Sequence, residues 1–193
     1  MQNPSFKKQA TGLACGLILC LISSLVFAVY HLPPGTILPG FQLKGLDSTE
    51  TKTYLGINED KPFALSQIKA RLILVEFFDV FNITCQKNTP LLNRLFTVLR
   101  EDKNLGQEIK LIGVALGAQT KDLEVYRKSF KAEFPLFADP ENEILDRVKG
   151  KIKFVPMLVF LDKNGKVLLD HPGAIDNFDD LLAEIRKKSK SGS

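Results

Sequence analysis

Outside an apolar stretch near its N-terminus, the chain has a single cysteine. Cys15 and Cys20 fall within that stretch, and only Cys85 lies in the remainder. An intramolecular disulfide in the folded part is therefore excluded, and so is a redox cycle run on two thiols of one domain. Histidine is also scarce. His31 and His171 are the only two, and their separation builds no metal-ligand spacing. His171, just before Pro172-Gly173, reads as structural. A Ser/His/Asp arrangement, a glycine-rich phosphate loop, an internal repeat and a low-complexity block are all missing. Charge of one sign is not concentrated either. Lys and Arg number 26 against 22 Asp and Glu, a net charge of +4 spread along the chain, which argues against a nucleic-acid partner. No metal and no cofactor is expected.

What is present suits a globular protein. With 45% hydrophobic and 25% charged residues, a real core is expected. The 193 residues accommodate one α/β domain of roughly 150 residues and a targeting segment. Lys7 and Lys8 precede an uncharged run from Gly12 to Tyr30, the pattern of an export signal, with Val26-Phe27-Ala28 suited to cleavage after Ala28. A retained anchor is the equal alternative, since 18 helical residues extend roughly 27 Å against a hydrocarbon core of ~30 Å. Lipid attachment at Cys20 is disfavoured by the bulk of Leu19. Either leading alternative places the domain outside the cytoplasm, on the periplasmic or cell-envelope side, secreted or associated with the inner membrane; positive charge before the run agrees. The expected organisation is a signal or anchor helix over 1–30, a Pro- and Gly-rich linker over 31–40, a folded domain over 41–188 and a solvated tail over 189–193.

Along the domain, Phe41 to Lys44 alternates as a short strand, and Asp47 to Asp60 reads as a polar hairpin or loop. Leu65 to Ile68 forms a short turn with Ser66 as its cap. A buried strand follows over Leu72–Phe78, then a turn with Asn82 and Cys85, then a helix to about Asp102 whose body contains Pro90 and is expected to be kinked there. Ile109 to Leu116 is a strand buried on both faces. Thr120 caps a helix reaching about Glu133, with Leu123, Tyr126 and Phe130 inward. An extended piece at Phe134–Phe137 and a helix within Asp139–Val148 come next. A hairpin over Phe154–Asp162 and Lys166–Asp170 precedes a last helix over Phe178–Lys188.

The segment Phe81 to Pro90 carries a resemblance. It is similar to the active-site turn and helix of the thioredoxin superfamily, in particular the TlpA/ResA-type redoxins of bacteria. There an aromatic residue precedes Cys-x-x-Cys and a proline follows; here Phe81, Cys85 and Pro90 hold those places, and Asn82 stands where the attacking cysteine would be. Val155-Pro156 resembles the family's cis-proline, and Pro39-Gly40-Phe41-Gln42-Leu43 its domain opening. The resemblance implies a thioredoxin-like α/β fold, a central mixed sheet flanked by helices. It also implies thiol–disulfide oxidoreductase chemistry on protein or peptide thiols and disulfides.

The candidate site is thus Cys85, Glu76 and Asn82 for chemistry, with Phe81, Val155 and Pro156 for binding. A cysteine at a helix start is expected to ionise readily. Asn82 cannot attack a disulfide, but it is a strong cap for the N–H of residue 84 or 85. By resemblance Glu76 takes the proton of the second cysteine; alternatively it pairs with Lys69 or Lys87. Met157 in place of the usual threonine makes the rim more apolar. The expectation is an exported protein that has lost dithiol exchange and keeps at most single-thiol chemistry at Cys85. Two alternatives stand beside it. One is a peroxiredoxin-like peroxidase, from the spacing of Phe81-Asn82-Ile83-Thr84-Cys85. The other is a non-catalytic module that binds peptides on the Pro156 face.

Overall fold

A computed structural model describes residues 30–46 and 48–191. The proposed signal or anchor, with Cys15 and Cys20, lies outside the described residues. Among the described residues, no helix is long and apolar enough to cross a membrane.

The chain forms β1 (Gln42–Leu43), α1 (Thr49–Leu55), β2 (Phe63–Ala64), a 3-10 turn (Leu65–Gln67), β3 (Leu72–Phe78), α2 (Ile83–Glu101) and α3 (Leu105–Glu108). β4 (Ile109–Ala115), α4 (Thr120–Phe130), β5 (Leu136–Ala138), α5 (Glu143–Val148), β6 (Met157–Asp162), β7 (Val167–Pro172) and α6 (Phe178–Ser191) follow. Five strands make the central sheet in the order β5-β4-β3-β6-β7. β4 runs parallel to β3 and β5, whereas β6 is antiparallel to β3 and β7. This is the thioredoxin-like α/β arrangement the sequence implies, with β1 and β2 forming a separate antiparallel pair.

β3 is central because every one of its residues is apolar except Glu76 and every one is buried. Alternation along the strand divides them. Leu72, Leu74 and Phe78 join the core under α2, α4 and α6, where Leu92, Leu95, Leu99, Tyr126, Leu181 and Ile185 pack. Ile73, Val75 and Phe77 join the opposite core with Leu43, Leu55, Ile144 and Val148. Each such side chain removed from water contributes roughly 1.5–3 kcal/mol. The same alternation puts Glu76 on the α2 side. Across the ladder from it sits Gly113, where a Cβ would come within 2.5 Å of the Leu136 side chain. A side chain is excluded there by the packing of Phe78 and Phe134.

Four local expectations are corrected. The polar stretch after Leu46 holds a helix, α1, because Ser48 accepts from the Thr51 N–H and Gly56 closes the far end in the left-handed region at φ 69°. Ser66 does not cap the 3-10 turn; Ala64 occupies the cap position, and Gln67 accepts from its N–H at 2.8 Å. Gln119, not Thr120, precedes α4, which stops at Phe130 because Lys131 turns left-handed at φ 52°. Finally, α6 continues through Ser191, and Ser189 is buried instead of lying in a solvated tail. Arg71 donates to its carbonyl oxygen at 2.5 Å.

Candidate functional site

The site forms where β3 ends and α2 begins. Leaving Phe78, the chain turns through Asp79, whose carboxylate accepts from the Phe81 N–H at 2.8 Å. Asn82 adopts the extended conformation of an N-cap, and its Oδ1 accepts from Thr84 N at 2.9 Å and Cys85 N at 3.2 Å. Two of the helix's orphan donors are thereby satisfied. The other end of the same amide reaches across the site: Nδ2 donates to the carbonyl oxygen of Val155 at 3.4 Å.

Val155–Pro156 is a cis peptide bond, as the sequence implies. β6 starts at Met157, which pairs with Phe77, so Pro156 lies beside the end of β3. Thus the two segments singled out in the sequence meet, and Asn82 ties them together. Phe81 stands 77% exposed beside it.

Cys85 is a free thiol, 1% exposed. Burial pushes it up to about 12, and negative charge at Glu76 and Asp79 raises it further, while backbone hydrogen bonding works the other way. The expectation of a readily ionised cysteine is corrected: three residues into the helix numbering from the cap, desolvation outweighs the helix start. The backbone here is fixed by two hydroxyls that close a triangle with the Cys85 carbonyl oxygen. The Tyr126 and Thr89 hydroxyls lie 3.1 Å and 3.2 Å from the Cys85 carbonyl oxygen and share a hydrogen bond of 2.6 Å, so one donates to the other and the other donates to the carbonyl. Burial likewise pushes the Tyr126 phenol up to about 12.

Glu76 is 2% exposed and neither carboxylate oxygen has a hydrogen-bond partner. The proposed pairing with Lys69 or Lys87 is therefore not formed. Burial pushes its carboxyl up to about 8, the nearby Asn88 amide pulling the other way with less effect. That amide is held elsewhere, donating to Gly173 O and accepting from Ile175 N, both at 3.0 Å. At neutral pH the acid is mostly protonated, which is how an unpaired carboxyl is tolerated in a core.

Sequence reasoning missed Asn88 and Thr89. Both are buried polar positions of α2, three and four residues after Cys85 and so one turn on from it, and that spacing is a usable signal. Tyr126 was placed inward, without its bond to the site. Among the described residues no cluster of His, Cys, Asp and Glu could hold a metal ion.

Comparison with known proteins agrees with this architecture. The thiol-disulfide oxidoreductase ResA of Geobacillus thermodenitrificans is 20% identical over 169 residues, covering 83% of this chain and 86% of that protein. ResA of Bacillus cereus is 29% identical over 132 residues, 67% of this chain and 70% of its own. Among solved structures, a thiol:disulfide interchange protein from a Bacteroides species superimposes with a TM-score of 0.61 at 17% identity, covering 81% and 90% of the two chains. StoA from Bacillus subtilis gives 0.56 at 17% identity over 79% and 99%. These structures are similar in fold. The family model described as thioredoxin-like matches residues 70–167, from just before β3 to the first residue of β7. The chain belongs to the thioredoxin-like family.

Proposed function

We propose that this protein works outside the cytoplasm as a binding member of its family, holding an extended protein segment on the Phe81, Asn82, Val155 and Pro156 face without dithiol exchange. One observation carries the proposal: the place of an attacking thiol is filled by Asn82, whose amide is used at both ends, on the helix start and on the Val155 carbonyl. An amide is no nucleophile, and this one is committed to holding two segments together. The remaining thiol, Cys85, is buried and protonated at neutral pH, so it is poorly placed for a disulfide arriving from solvent. What remains available is the exposed Phe81 ring and an irregular backbone at Val155, next to the end of a sheet. Such a surface suits recognition of extended chains by main-chain pairing with an apolar anchor.

The relatives' oxidoreductase names favour the rival reading, single-thiol or peroxidase chemistry at Cys85. One observation is on its side, the unpartnered acid Glu76 beneath the site. Against it stands the burial of the thiol that would have to react. Binding of extended peptides with an aromatic or aliphatic anchor, measured by calorimetry, tests the proposal. Phe81→Ala is expected to weaken binding about tenfold, the loss of roughly 1.4 kcal/mol. Unchanged affinity, or wild-type turnover of a disulfide or peroxide, would overturn it.

A further inference from the structure

The chain enters the described structure at Tyr30, and it does so beside the site. The Tyr30 ring meets Phe154 edge to face, with centroids 6.3 Å apart, and Phe154 immediately precedes Val155. The next residues lock this entry point. Asp170 accepts from the Leu32 N–H at 2.8 Å and contacts His31 Nδ1 at 3.2 Å, and Leu32 is buried. The uncharged run from Gly12 therefore ends at the binding face, not on the far side of the domain.

Around that point the surface changes character. Phe81, Ile83, Phe154 and Tyr30 are 77%, 66%, 38% and 37% exposed. Single exposed apolar side chains mean little, but a group of them marks an interaction surface. These flank one contact, that of Asn82 with Val155. Exposed Lys151 and Lys153 lie just before Phe154 in the same loop. Aromatic rings with lysines beside them, at the end of an uncharged run, match the chemistry of a bilayer interface, where rings sit at headgroup level and ammonium groups meet anionic lipid.

We infer that this rim rests on an anionic phospholipid surface, with Tyr30, Phe81, Ile83 and Phe154 at the interface and Lys151 and Lys153 against the headgroups. The binding face is thereby turned toward the membrane, where it meets chain segments that lie along the bilayer. Phe81 belongs both to this rim and to the proposed peptide face, but the inference does not rest on peptide binding, because lipid contact is read with no peptide present.

The chain contains no tryptophan, so one introduced residue is a sole reporter. Phe81→Trp tests the rim. Ile37→Trp is the control, since Ile37 is exposed and bridges to Lys166 at the opposite end of β6, roughly 17 Å away at ~3.3 Å per residue. Both positions are exposed, so neither change disturbs the core. The full chain is reconstituted into phosphatidylglycerol–phosphatidylcholine vesicles, with and without brominated acyl chains. Phe81→Trp is expected to shift to the blue and lose most of its emission to brominated lipid, while Ile37→Trp keeps its own. Adding Lys151→Glu and Lys153→Glu is expected to reduce the Phe81→Trp quenching severalfold. Equal quenching of the two reporters overturns the inference. So does a Phe81→Trp emission that responds to protein concentration and not to lipid, which would assign the rim to a second copy.

Discussion

Asn82 does with an amide what two neighbouring residues would otherwise share. Its oxygen caps α2 and its nitrogen holds the Val155 carbonyl. Asn82→Ala is expected to cost about 1–2 kcal/mol, read as a lowered denaturation midpoint at unchanged slope. Glu76 makes a second prediction at this scale. Its folded value, about 8, lies above that of an unfolded carboxyl, so the folded state binds the extra proton across the interval between them. Stability is therefore fully present below the ordinary carboxylate range and falls as pH rises toward about 8, by at most about 1.4 kcal/mol per pH unit. Glu76→Gln is expected to flatten that slope, so the variant gains on wild type most above pH 8. Urea denaturation at several pH values checks it, and parallel pH profiles for the two proteins would contradict it. The capping role of Asn82 was legible from the residue type and its place before a helix. The state of Cys85 was not, because a sequence shows proximity to a helix start but not the depth of burial that overrides it.

At the level of elements, the strands of the central sheet were readable because their hydrophobicity is continuous or alternating, whereas the two-residue β2 at Phe63–Ala64 was not. β3 is bounded where the sequence alone bounds it, from Leu72 to Phe78. α1 was not readable. In Thr49–Leu55 only Leu55 is buried outright, too little apolar periodicity to outweigh threonines and charges. The signal lay in the punctuation, Ser48 before and Gly56 after. The end of α6 was hidden for another reason. Its last turn is rich in lysine and serine, yet Ser189 is buried and its carbonyl accepts from Arg71, which also pairs with Glu108 at 2.6 Å. That contact joins residues far apart in the chain, which local pattern does not reveal. Removing residues 187–193 is expected to destabilise the domain by roughly 1–3 kcal/mol, since Arg71 loses its carbonyl partner and the helix its final turn. Thermal unfolding measures the effect, and an unchanged midpoint would show that the last turn of α6 is not part of the cooperative unit.

For the whole molecule, the proposed function separates the fold from the chemistry of its relatives. The sheet order, the cis bond at Pro156, the buried acid and the helix after the turn are the parts of a thioredoxin-like scaffold. Asn82, which the resemblance sets in the attacker's place, stabilises the scaffold as a helix cap, and the thiol of Cys85 is closed off in the core. The proposed function traces loss of dithiol exchange to a single residue, Asn82. The measurement that tests this most directly is reduction of a protein disulfide by wild type and by Asn82→Cys, with dithiothreitol as the electron source. Wild type is expected to stay at the uncatalysed rate. Asn82→Cys should accelerate the reaction severalfold, despite losing about 1 kcal/mol of capping energy, because it places a thiol at the helix start with Cys85 within the same turn. A wild-type rate equal to that of Asn82→Cys would contradict the account.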